Sequence, residues 1–76
     1  MKQRYLTESE LADMAGAACA SYEFACDWRA AGLAAAEHAA DELGVRATSA
    51  QVATAVRLAQ TRWEGYRMEA RRHATR

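Results

Sequence analysis

Alanine dominates this sequence: it accounts for twenty of the 76 residues, and the chain contains no proline. Alanine is the best helix former, because it loses no side-chain entropy when the backbone becomes helical. Proline would break a helix, and the residues that favour strands are scarce, with three valines and no isoleucine. The composition therefore predicts an all-α fold and argues against a β-sandwich or a barrel.

The same alanines limit how much apolar surface one copy of the chain can bury. Hydrophobic residues make up 51% of the sequence, but about half of them are alanine, whose methyl group adds little buried area. Chains below roughly 70–80 residues rarely gain enough stability from one such core. We therefore expect further burial against another chain, and we predict a homodimer that forms a bundle-like assembly.

Two capping boxes predict where helices begin. Residues 7–10 (TESE) and 48–51 (TSAQ) each place a threonine hydroxyl three residues before a Glu or Gln that can return the hydrogen bond. Gly44 suits the left-handed position that follows a helix end. One helical domain over 1–76 is predicted, with a first helix over about 8–43, a turn at 44–48 and a second helix over about 49–73.

Glycines inside the first helix are its expected bend points. Gly16 and Gly32 each weaken a helix by about 1 kcal/mol relative to alanine. A break near Gly32 would give three helices in place of two.

Apolar residues in the second helix recur at alternating steps of four and three, the period of a coiled-coil seam. They are Val52, Val56, Ala59, Trp63, Tyr66, Ala70 and His73. A matching seam in the first helix predicts a long antiparallel hairpin, in which Leu33 faces Ala59 and Arg29 lies near Trp63. The first helix would be the longer one, so its N-terminal end would overhang. An overhanging apolar stripe is typical of a binding surface.

Two aromatic residues of the first helix, Phe24 and Trp28, lie one turn apart and off that seam. Aromatic side chains on a rigid helix are typical anchors for a partner protein. They could instead form a second core face against a third helix or a dimer mate. The candidate partner-binding residues are Leu11, Met14, Ala18, Phe24 and Trp28.

Charge is segregated along the chain, although the formal net charge is zero. Residues 7–42 carry eight acids against Arg29 alone, a net of −7, and residues 57–76 carry six arginines and two glutamates, a net of +4. The two helices can neutralise each other, or the basic one can bind nucleic acid. Residues 36–58 also have the spacing of a helix-turn-helix. The candidate nucleic-acid contacts are Arg46, Gln51, Thr54, Arg57, Arg67, Arg71 and Arg72.

The residues that could carry chemistry show no organised pattern. The candidate metal ligands Cys19, Cys26, His38 and His73 have no CxxC, HxxxH or HExxH spacing. On a continuous helix the two cysteines would lie about 10 Å apart, too far for a disulfide. No glycine-rich phosphate loop is present. We expect no enzymatic activity, no metal and no cofactor.

These features favour a non-enzymatic macromolecule-binding module that docks a helical face on a partner protein as a small adaptor or inhibitor. No secretory signal and no run of roughly 20 apolar residues is present, so we expect a cytoplasmic protein that does not bind membranes. Size alone suggests an accessory protein of a mobile element, of the anti-CRISPR or antirestriction type. The alternative is a small helix-turn-helix DNA-binding regulator.

Overall fold

The computed structural model describes residues 2–74, and within them the fold is all-α, as the composition predicts. Three helices follow one another in the order α1 (Glu8–Ala25), α2 (Trp28–Glu42) and α3 (Ser49–Ala74). A bridge between Lys2 and Val45 joins the N-terminal segment to the loop before α3. None of these helices combines the length and the apolar character that a membrane span requires.

The prediction of one first helix over 8–43 is wrong, because the chain reverses after Ala25. Cys26 adopts the left-handed conformation at φ 52° and donates its N–H to the Tyr22 carbonyl, which ends α1. The Asp27 carboxylate then accepts the Arg29 N–H at 2.9 Å and caps α2. The break therefore occurs neither at Gly16 nor at Gly32, which both lie inside helices.

The predicted capping boxes are confirmed. At the start of α1, the Glu10 N–H donates to the Thr7 hydroxyl at 3.1 Å, and the Thr7 N–H donates to the Glu10 carboxylate at 2.9 Å. Thr48 and Gln51 make the equivalent pair of bonds before α3, at 3.1 and 2.9 Å. Gly44 has φ 64°, as expected of the residue that follows a helix end.

The helices run up, down and up, so α1 and α3 point in the same direction. Near their starts, the Gln51 side chain donates to the Arg4 carbonyl at 2.6 Å. Farther along, the Cys19 thiol donates to the Ala59 carbonyl at 3.5 Å. The predicted two-helix hairpin is thus replaced by three helices, because the turn at Cys26 lets α2 pack back on α1.

Alanine forms most of the core, and every helix contributes to it. The fully buried alanines are Ala15 and Ala18 of α1, Ala31, Ala35 and Ala39 of α2, and Ala55 and Ala59 of α3. Among residues 2–74, Met14 is the largest side chain that is completely buried. Small side chains at helix contacts allow the axes to approach closely, so the helices pack tightly around a thin core.

The C-terminal end of α3 extends past the bundle. All residues from Glu64 to Ala74 are exposed, including Tyr66 and Met68 at 60% each. The whole molecule measures 50 by 23 by 18 Å. The predicted overhang of the N-terminal end of the first helix is therefore wrong, and the projecting helix end is that of α3.

Candidate docking surfaces

An open apolar groove of about 800 Å³ lies between α2 and α3. Six of the residues that line it are Trp28, Gly32, Leu33, Ala36, Val52 and Val56. A Cβ built on Gly32 would lie 3.5 Å from Val52 Cγ1 and 3.7 Å from Val56 Cγ2, so Gly32 sits directly against both valines. Leu33 remains 68% exposed. The groove thus combines a recess between the helices with one large protruding apolar side chain.

Three aromatic rings close the end of the bundle where α1 turns into α2. Tyr22 stacks on Trp28 with ring centroids 3.8 Å apart, and it forms a T-shaped pair with Trp63 at a centroid distance of 5.1 Å. The aromatic ring against Trp63 is therefore that of Tyr22, while the predicted neighbour Arg29 lines the groove. This cluster joins all three helices and holds Trp28 in place.

Phe24 lies on the last turn of α1 and is 96% exposed. Its neighbours Glu23 and Asp27 are also exposed. An exposed phenylalanine contributes almost no burial to the fold, since the stabilisation scales with the apolar area removed from water. Phe24 and Trp28, which were predicted as a pair, are thus separated: Trp28 packs on Tyr22, and Phe24 faces solvent.

The other three candidate partner-binding residues belong to the core. Met14 and Ala18 have no exposed surface, and Leu11 is half-buried against the same cluster. The prediction that they form an exposed stripe is wrong, because α2 and α3 pack over this part of α1. The exposed candidates for protein docking are Phe24 and, at the end of the groove, the accessible part of Trp28.

Gln51 and Thr54, two of the candidate nucleic-acid contacts, use their side chains within the molecule. The Gln51 carbonyl accepts the Thr48 N–H, and its amide group donates to the Arg4 carbonyl. The Thr54 hydroxyl donates to the Ala50 carbonyl at 2.9 Å. Base readout by Gln51 needs both ends of its amide, so it would require these contacts to break.

The arginines of the nucleic-acid hypothesis are scattered. Arg46 lies in the loop before α3, and Arg57 is exposed on the first half of α3. Arg67 pairs with Glu64 at 3.5 Å, and Arg71 and Arg72 follow on the projecting end. The structure therefore does not gather them beside Gln51 into one compact basic surface.

An ion pair anchors the N-terminal segment to the start of α1. Two nitrogens of the Arg4 guanidinium donate to the two Glu10 oxygens, at 3.1 and 2.6 Å. These bonds, together with the one from the Thr7 N–H, lower the pKa of Glu10 to about 2. Glu10 thus caps the helix and holds the segment that reaches across to Gln51.

The two cysteines are free and differ in environment. Burial raises the pKa of the Cys19 thiol, which favours its neutral form, whereas Cys26 is exposed in the turn. In the part of the chain that the structure describes, no three His, Cys, Asp or Glu side chains come together as metal ligands.

The α2–α3 groove is the feature that the sequence prediction missed. Leu33 was assigned to the seam between the two predicted helices, and it is exposed at the groove instead. The available signal was the spacing of Arg29, Leu33 and Glu37, which places a base, an apolar residue and an acid on successive turns of one helix.

No protein-family model, curated protein or solved structure matches this chain.

Proposed function

We propose that this chain is a non-enzymatic protein-binding module, a small adaptor or inhibitor that docks a helical face on a partner protein. Phe24 is the observation that carries this proposal, since its ring is 96% exposed. It lies two residues after Tyr22, whose stacking on Trp28 fixes the end of α1. Aromatic side chains held on a rigid element lose little entropy on binding and dominate many interfaces.

The charges around Phe24 define the partner surface that would fit it. Glu23 and Asp27, one residue before and three residues after Phe24, are both exposed, and α1 carries four acids and no base. Complementary charge steers association and discriminates against wrong partners. The partner would therefore present an apolar pocket for the ring, bordered by lysine or arginine side chains.

The helix-turn-helix alternative has weaker support. Its most informative side chain, Gln51, is held by Thr48 and Arg4. The formal net charge of zero gives the chain little general attraction to phosphates. Without Gln51, the hypothesis would have to rest on the scattered arginines.

Photo-crosslinking at position 24 tests the proposal and identifies the partner. Phe24 is replaced by p-benzoylphenylalanine in cells of the organism that encodes the chain, and Tyr5, which is 97% exposed, receives the same replacement as the matched control. We expect one discrete crosslinked protein from position 24 and none from position 5. The same crosslinks from both positions, or none from position 24, would contradict docking through Phe24.

Affinity for the crosslinked protein is then measured with the purified partner. Phe24→Ala should weaken binding at least about tenfold, as expected for an aromatic anchor, and Tyr5→Ala should leave it unchanged. Gln51→Ala combined with Arg57→Ala should also leave it unchanged. Loss of binding in the Gln51/Arg57 variant would instead place the docking surface on α3. Binding of the chain to DNA that weakens steeply with salt and fails in this variant would favour the nucleic-acid alternative.

A further inference from the structure

We propose that the α2–α3 groove is the interface of an antiparallel homodimer, in which α2 of each copy packs on α2 of the other around Leu33. Trp28 lines this surface, but Phe24, the residue that carries the docking proposal, does not belong to it. Variants of Phe24 and of Leu33 therefore test the two proposals separately. Three observations support a second copy as the occupant: the shape of the groove, the charges beside Leu33 and the size of the core.

The groove is self-complementary in shape. Leu33 protrudes from α2 with 68% of its surface exposed, and it stands beside the recess at Gly32 and Ala36. A two-fold interface requires that one patch carry both the protruding group and the recess that receives it. Leu33 of each copy would enter the recess of the other, and the small residues would allow the two α2 axes to approach closely.

The charges on α2 select the antiparallel arrangement. Arg29 lies four residues before Leu33 and Glu37 lies four residues after it, and both are exposed. Among residues 2–74, neither side chain has an ion-pair partner. With a two-fold axis at Leu33, each Arg29 meets Glu37 of the second copy, whereas a parallel arrangement would oppose like charges. This pairing also gives a role to Arg29, the only lysine or arginine between positions 7 and 42.

The core explains why a second copy would be needed. Of the nine core residues in the described part of the chain, seven are alanines, and Met14 is the largest completely buried side chain among them. Covering Leu33, Val52 and Val56 would add larger apolar side chains to the buried surface. Dimerisation is thus a source of stability that the alanine core does not provide.

The decisive experiment reverses the charge at position 29 in one variant and at position 37 in another, and then mixes the two variants. Molar mass and the dissociation constant are measured by sedimentation equilibrium, with circular dichroism on the same samples. The wild type should be a dimer. Arg29→Glu and Glu37→Arg should each raise the dissociation constant at least about tenfold, because each variant opposes like charges twice. An equimolar mixture of the two variants should dimerise again, and so should the double variant.

Further variants separate the interface from the fold and from the docking site. Leu33→Asp should give a helical monomer, whereas Glu42→Arg, a control on the same helix, should keep the dimer. Phe24→Ala should also keep it, so that failure of the docking proposal leaves this one intact. A monomeric wild type, a dimer that survives Leu33→Asp, or charge variants that do not dimerise when mixed would overturn the proposal.

Discussion

The ring of Tyr22 lies almost flat on the indole of Trp28, with an angle of 11° between the two planes, although the residues belong to consecutive helices. The stack spans the turn at Cys26 and Asp27, and Trp63 of α3 closes it with an edge contact. Aromatic pairs of this kind add about 0.5–1.5 kcal/mol beyond their buried area. The stack therefore stabilises the chain reversal that separates α1 from α2.

Removing the Tyr22 ring should destabilise the fold. We expect Tyr22→Ala to lower the free energy of unfolding by about 2 kcal/mol, because the half-buried ring contacts both tryptophans. Tyr66→Ala, which truncates a tyrosine that is 60% exposed, should change it by less than about 0.5 kcal/mol. Urea denaturation followed by tryptophan fluorescence measures both values. Equal effects of the two variants would mean that the aromatic cluster does not hold the turn.

Replacing Cys26 with glycine should stabilise the folded protein. Cys26 has φ 52°, a conformation that side chains with a Cβ adopt at a cost of about 1–2 kcal/mol. After the greater flexibility of glycine in the unfolded chain is allowed for, Cys26→Gly should stabilise the protein by about 0.5–1 kcal/mol. Cys26→Ala keeps the Cβ and should leave stability unchanged. Thermal unfolding measures the stability of both variants. Equal stabilisation by both variants would assign the effect to the thiol rather than to the backbone.

The alanine core should not accept a larger side chain. Ala18 has no exposed surface, so Ala18→Leu should cost about 1–3 kcal/mol by forcing the helices apart. Ala20→Leu, an identical change two residues away at an exposed position, should have almost no effect. In a domain of this size each 1 kcal/mol lowers the melting temperature by about 4–8 °C, which circular dichroism resolves easily. An unchanged melting temperature for Ala18→Leu would show that the core contains unfilled space.

Acid should weaken the attachment of the N-terminal segment. Because the pKa of Glu10 is lowered from 4.5 to about 2 in the folded state, the unfolded state binds more protons between these values. The stability that Glu10 contributes is therefore complete above about pH 4.5 and is lost as the pH falls towards 2. Glu10→Gln should show a smaller decrease in melting temperature over this interval, and high salt should reduce the difference between the two proteins.

Local signals identified most of the helix boundaries. The capping boxes at Thr7 and Thr48 and the glycine at position 44 act through hydrogen bonds and dihedral preferences within a few residues, so the sequence is sufficient to locate them. The chain reversal at Cys26 was missed, because no glycine or proline marks it. Its one local signal was Asp27, since aspartate is a preferred residue at a helix start.

The alanine-rich sequence by itself determined that the chain is helical and where α1 and α3 begin, because helix propensity and capping are local properties. Tertiary structure decided where the first helix ends, which alanines are buried and which apolar residues remain exposed. Continuing the helix through Cys26 would have avoided a left-handed residue, but it would have lost the packing of α2 against α1 and the stacking of Tyr22 on Trp28. Those contacts join residues that only the folded chain brings together, and the same packing leaves Phe24 and Leu33 on the surface.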